Sequence, residues 1–207
     1  MFVQVIQGRT SDAEALRAAI DRWERDLAPG ADGWLGSTGG VTDDGRVIGV
    51  VRFESEDAAR RNSARPEQDR WWRETERLYD GTVTFRESTD VLVDLQGDPD
   101  QAGFVQVMQG RTSDPARARE LMAQDPDTWA KFRPDVLGSL EALHDDGSYT
   151  MVLYFTSEAD AREGERKEVP LELRAVMEEM DKLTIGTTEY LDLRQPMIRS
   201  AARGAGG

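Results

Sequence analysis

Cysteine is absent, which excludes disulfides, thiolate-ligated zinc and thiol catalysis. Histidine occurs once, as His144, so no histidine cluster exists to hold a transition metal. Basic residues are in deficit: 26 Lys and Arg stand against 40 Asp and Glu, a formal net charge of −14. Phosphate backbones and anionic membrane surfaces would be repelled, so neither nucleic acid nor membrane is an expected partner. No apolar run approaches the roughly 18 residues that a membrane span needs. A strand-like pattern begins at Phe2 with no basic and then apolar leader before it, and a cytoplasmic protein is expected. There is no phosphate-cradling glycine loop and no Ser/His pairing, which removes most other common enzyme classes.

What the chain does contain is itself, twice. Phe2-Val-Gln-Val-Ile-Gln-Gly-Arg-Thr-Ser-Asp12 returns 102 residues later as Phe104-Val-Gln-Val-Met-Gln-Gly-Arg-Thr-Ser-Asp114. Leu35-Gly36-Ser37 matches Leu137-Gly138-Ser139, and Asp43-Asp44-Gly45 matches Asp145-Asp146-Gly147, at the same offset. Near the end Val93-Asp94-Leu95 aligns with Leu191-Asp192-Leu193 at an offset of 98, so the second copy is about four residues shorter in its second helical region. The period is too long for a solenoid and has the size of a small domain. The expected division is a first module over 1–97, a linker over 98–101, a second module over 102–194 and a disordered Gly/Ala/Arg-rich tail over 195–207.

Within one module, residues 2–7 alternate and read as a strand. Ser11 with Glu14 suggests a capping box for a helix carrying Leu16, Ala19, Ile20, Trp23 and Leu27 on one stripe. Residues 34–42 and 46–54 flank Asp43-Asp44-Gly45 as a hairpin. Ser55 caps a second helical region that is interrupted near Pro66 and resumes through Trp71 and Trp72. One extended stretch, residues 82–95, closes the module. The order βαββαβ is a ferredoxin-like split unit, an α+β fold with helices on one face of an antiparallel sheet. Val47, Val51 and Phe53 make one face of the third segment apolar, and Ile48 and Val50 make the other half apolar. Both faces therefore look buried, and the economical arrangement packs the two antiparallel sheets face to face as an intramolecular α+β barrel, a pseudo-dimer in one chain.

The stretch Ser55-Glu-Asp-Ala-Ala-Arg-Arg-Asn-Ser-Ala-Arg-Pro-Glu-Gln-Asp-Arg-Trp-Trp72, set in this element order, resembles the dimeric α+β barrel superfamily, and within it the antibiotic-biosynthesis-monooxygenase-like domains. There two chains usually form the barrel; here a fused pair would cover about residues 2–193. The resemblance implies a small-molecule pocket between sheet and helices. It also implies, for the oxygenase members, catalysis without a cofactor by Asn, Trp and Arg side chains around an activated phenolate. Asn62, Trp72 and Arg86 are the corresponding catalytic candidates, with Trp71, Gln4 and Gln106 as substrate-binding candidates. A carbanionic substrate meeting oxygen needs donors for developing negative charge and an apolar site that excludes water. Haem-degrading relatives use a histidine on the second helix, and neither second helix here has one, so haem is not expected. No metal is expected either.

Bland alternatives stand beside these roles. Either tryptophan would serve as a core anchor, and Asn62 as a turn residue before Pro66. Gln4 and Gln106 would equally form a Gln–Gln pair between the modules. Arg9 and Arg111 fit surface ion pairs, and His144 fits a solvated loop. The copies part company between Asn62 and Trp72, where the second reads from Gly164 to Arg174 with no Trp and no Asn. A pocket, if reactive, belongs to the first copy. The remaining alternative is a non-catalytic small-molecule-binding or purely structural barrel protein.

Overall fold

The computed structural model describes residues 1–201. Among them the chain forms β1 (Phe2–Arg9), α1 (Ala13–Asp26), β2 (Trp34–Val41), β3 (Arg46–Phe53), α2 (Glu56–Ser63), α3 (Pro66–Thr75), β4 (Thr84–Ser88) and β5 (Asp90–Leu95). The second half follows with β6 (Phe104–Arg111), α4 (Pro115–Met122), α5 (Pro126–Phe132), β7 (Val136–Leu143), β8 (Ser148–Phe155), α6 (Glu158–Glu165), α7 (Leu171–Leu183), β9 (Glu189–Leu193) and β10 (Met197–Ser200). The strands form two antiparallel five-stranded sheets, ordered β10-β2-β3-β1-β4 and β5-β7-β8-β6-β9. The α+β class and the two ferredoxin-like modules are therefore as the repeat implies. Among the described residues no helix is long and apolar enough to cross a membrane.

The chain divides into two compact units, residues 1–91 together with the segment from Gln195, and residues 92–194. This differs from the division at 97 and 194 read from the repeat. The final extended stretch of copy one is two strands. β4 stays beside β1, while β5 lies at the edge of the second unit's sheet next to β7. Reciprocally, β10 pairs with β2, placing Met197 opposite Gly39 and Ser200 opposite Gly36. The tail expected to lack structure thus forms a strand over residues 197–200; the rest of that expectation, residues 202–207, lies outside the described residues. β10 is tied down by Arg199, which pairs with Asp21 at 2.7 Å and with Glu24.

Local chemistry sets the element ends. α1 is capped by Asp12, whose carboxylate accepts from the Ala15 N–H at 2.9 Å; Ser11, expected as the cap, instead donates to Asp80. The shift by one residue follows from Thr10, whose hydroxyl already accepts from the Asp12 N–H. Ser55 caps α2 as expected, accepting from the Ala58 N–H at 3.2 Å. Pro66 opens α3 and holds Arg65 extended (φ −70°, ψ 129°), which breaks the helical region in two. The hairpin between β2 and β3 turns on Gly45 at φ 80°, a backbone region that suits glycine.

Alternation along the strands gives each sheet two faces. In the first sheet Phe2, Gln4 and Ile6 of β1 lie on the helix side, and register sets them opposite Phe53, Val51 and Gly49 of β3. Val3, Val5, Ile48 and Val50 on the other face are also buried. His144 is a correction: it is 5% exposed, with Nε2 3.2 Å from the Thr150 hydroxyl, because its position in the second hairpin's register points it inward rather than to solvent. Arg9 and Arg111 donate to the carbonyls of Asp44 and Asp146, fastening each hairpin turn instead of pairing with a carboxylate.

Candidate functional site

In the first unit a cavity of about 310 Å³ lies between the sheet and the helices. That is at the lower end of the roughly 300–1,000 Å³ typical of small-molecule sites. Its floor is the helix side of the sheet, including Gln4, Ile6, Gly39, Gly49, Val51 and Phe53, with Phe85 from β4 and Met197 from β10. Its roof comes from Leu16, Ile20 and Trp23 of α1, Asn62 of α2, Trp71 and Trp72 of α3, and Tyr79. Adjacent residues on a helix are about 100° apart, so the Trp71-Trp72 pair lets α3 present two indoles to one space.

The aromatic wall is continuous. Trp34 meets Trp23 edge to face with centroids 5.1 Å apart. Trp23 and Trp71 are 6.3 Å apart, Trp71 and Trp72 6.1 Å, and Trp72 and Phe85 5.2 Å. Tyr79 stands 6.2 Å from Trp72 and leans over Gly8, where a Cβ would come within 2.6 Å of its ring. Burial pushes the Tyr79 phenol up to about 12, so it stays a neutral hydroxyl at ordinary pH.

The hydrogen-bonding groups in this wall are mostly donors. Trp23 Nε1 donates to Gln68 Oε1 at 2.6 Å and Trp71 Nε1 to the Ala19 carbonyl at 2.9 Å, so both indoles are fixed in orientation. Trp34 is 8% exposed, and its Nε1 is buried without any partner. Asn62 is 6% exposed, and its Oδ1 accepts from Arg65 Nη1 at 2.9 Å. Arg65 is itself held by the Leu27 carbonyl and by Glu67. Asn62 thus lines the cavity with its oxygen held by Arg65. Trp34 and Ala59, one turn before Asn62 on α2, belong to one buried cluster. Asp69 is the sole carboxylate in the lining; it is exposed and paired with Arg73 at 2.8 Å.

The sequence candidates are distributed as follows. Asn62, Trp71, Trp72 and Gln4 all line the cavity, Gln4 donating to Glu87 on the neighbouring strand at 3.1 Å. Arg86 does not line it. It sits opposite Val5 in the register, and the odd-numbered residues of β1 face away from the helices. Gln106 belongs to the second unit, where it donates to Asp192 at 2.9 Å. Each of these glutamines has a carboxylate beside it in its own sheet, in place of the Gln–Gln pair that the sequence also allowed. Sequence reasoning missed Trp34, Tyr79, Arg65, Met197 and the two glycines. The repeat held a signal for several of them: at an offset of 102, Trp34 becomes Val136, Gly39 becomes Glu141 and Gly49 becomes Met151.

The second unit carries charge beside the corresponding helix face of its sheet. Arg133 lies over Phe155 at 5.4 Å and grips Asp135 through two nitrogens, at 3.0 and 2.7 Å. Arg162 lies over Phe104 at 5.2 Å and pairs with Glu165, Glu158 and Asp192. Gly164, the counterpart of Asn62, is glycine because a Cβ there would run into the Arg133 guanidinium. Among the described residues no three His, Asp or Glu side chains gather in a way that would hold a metal ion.

Solved structures share this fold. A candidate monooxygenase from Fusobacterium nucleatum superposes with a TM-score of 0.73 at 10% identity, over 96% of this chain and 94% of its own. A second, from Lactobacillus acidophilus, gives 0.69 at 11% identity, over 95% and 98%. An anthrone oxidase-like protein gives 0.64 at 10% identity, over 97% and 91%. At such identities the likeness is one of fold alone, and the fold is two ferredoxin-like modules in tandem. No family model matches the sequence, and no curated protein matches it.

Proposed function

We propose that the first unit binds a small aromatic molecule bearing a phenolic or ketonic oxygen and oxidises it with dioxygen, without a cofactor. The observation that carries this is a cavity lined by the aromatic side chains of Trp23, Trp34, Trp71, Trp72, Tyr79 and Phe85, together with the buried amide of Asn62, which Arg65 holds in place. Fixed neutral donors in an apolar site stabilise charge that develops on such an oxygen far better than water does. The name of the anthrone oxidase-like protein, which shares the fold, supports the choice of a tricyclic ketone as the test substrate.

In the reaction considered, a methylene next to the aromatic system loses a proton and the resulting carbanion gives one electron to dioxygen. The two radicals combine to a peroxide anion, which takes up a proton equivalent to the one lost in the first step to give the hydroperoxide, and loss of water leaves a new carbonyl. One oxygen atom enters the product and the other leaves as water. The Asn62 amide would hold the substrate's existing oxygen as it becomes an oxyanion, and the tryptophan wall would keep water out. Tyr79 stays protonated, and Asp69 is solvent-exposed and already paired, so no side chain of the cavity is built as a base. The rate should therefore follow the substrate's own ionisation with pH.

The test is conversion of anthrone to anthraquinone under labelled dioxygen, with tryptophan fluorescence reporting binding in parallel. Label in the new carbonyl, at a rate at least tenfold over buffer and cut about tenfold or more by Asn62→Ala, is the expected result. Quenching without turnover would make the protein a binder rather than an enzyme. Neither quenching nor turnover would remove the proposal.

A further inference from the structure

The first sheet carries a transverse row of side chains on its helix face: Met197, Gly39, Gly49, Ile6 and Phe85, each opposite the next in register and all lining the cavity. Two glycines at the centre of a five-strand row are costly, since glycine in a strand weakens it and packs nothing. They have different reasons to be there. A Cβ on Gly39 would sit 2.6 Å from the Ile48 carbonyl oxygen, so the backbone itself demands glycine. A Cβ on Gly49 would meet only the Ile6 Cβ, at 4.0 Å, in otherwise open space. Nothing in the backbone requires glycine at 49, and its φ is not among the positive ones. In the second copy the same position holds Met151, buried and opposite Glu141.

We infer that Gly49 is the size-determining residue of the ligand site, and that the ligand's ring system lies over the trough above Gly39 and Gly49. Met197, brought in by β10, forms the wall at one end of that trough, and Ile6 forms it at the other. The inference rests on the ligand site proposed above and adds to it a position that sets how large a ring system enters. The trough lies below the tryptophan wall, so a bound ring would sit within reach of the indoles and quench them.

The experiment uses the full chain and titrates two probes, 1-naphthol with two rings and anthrone with three, following tryptophan fluorescence in the wild type, Gly49→Ala and Gly49→Met. The expected result is binding of both probes by the wild type. Gly49→Met should then bind anthrone at least tenfold more weakly while holding 1-naphthol within about threefold, with Gly49→Ala intermediate for anthrone. Gly49→Ala serves alone if Gly49→Met does not fold, as judged by its melting transition; a threefold or larger weakening confined to anthrone supports the inference. Equal affinities of variant and wild type for both probes, or an equal loss of both in a folded variant, overturn it while leaving the ligand site standing. Failure of the wild type to bind either probe removes the ligand site itself, and the inference with it.

Discussion

Among single residues, Tyr79 has a consequence that can be read against pH. Its phenol is pushed from 10.0 up to about 12 by burial, so the folded protein keeps a proton that the unfolded chain releases. Its contribution is therefore complete below about pH 10 and is lost as pH climbs towards 12, by an amount on the order of 2 kcal/mol. Urea midpoints measured from about pH 8 to 11 should fall more steeply for the wild type than for Tyr79→Phe; parallel curves would show that the phenol is not held back. Trp34 and Asn62 form a contrasting pair. Asn62 was visible in the sequence through its absence from the second copy, and the structure gives it a reason, since Arg65 occupies its oxygen. Trp34 gave no sign beyond its replacement by Val136, because whether an indole N–H finds a partner depends on what distant segments bring near it. Arg86 shows the converse: its type suited the chemistry, but a period of two along β4 puts it on the other face.

At the scale of elements, the same strand–helix interface is built in two ways. In the first unit α2 carries Asn62, and the counterpart of Arg133 is Ala31; in the second, α6 carries Gly164 against Arg133. Small and large residues have changed places, so the guanidinium that fills one interface has room only because its neighbour lost a side chain. Gly164→Ala should therefore cost about 1–3 kcal/mol, as overpacking does. The bidentate grip of Asp135 keeps Arg133 from moving aside. A thermal shift below 1 °C would mean that Arg133 yields freely. The element order and the caps were accessible beforehand because they rest on local chemistry: Ser55 three residues before a free N–H, Pro66 fixing the residue ahead of it. The one-residue error at α1 arose where two local solutions competed, and Thr10 decided between them.

At the scale of the whole chain, each sheet is completed by a strand from the far side of the repeat boundary, β5 for one and β10 for the other. An uncovered β2 edge would present unpaired N–H and C=O groups, and β10 covers it. A chain ending after Arg194 should lose several kcal/mol of first-unit stability, because ladder bonds, the Arg199 ion pairs and the burial of Met197 go together. Hydrogen exchange should then accelerate in β2 and leave β7 unchanged; unaltered protection of β2 would show that the strand is dispensable. By itself the sequence determined the module, its doubling, the two faces of β3 and β8 and the starts of α2 and α3, because these follow from a period of two and from contacts a few residues long. Only the tertiary structure decided which edge each fifth strand joins and where a cavity opens. Both depend on residues far apart in the chain: a free edge is defined by the strands that do not pair there. The space over Gly49 exists because Gly39, Ile6 and Met197 happen to stand in its row.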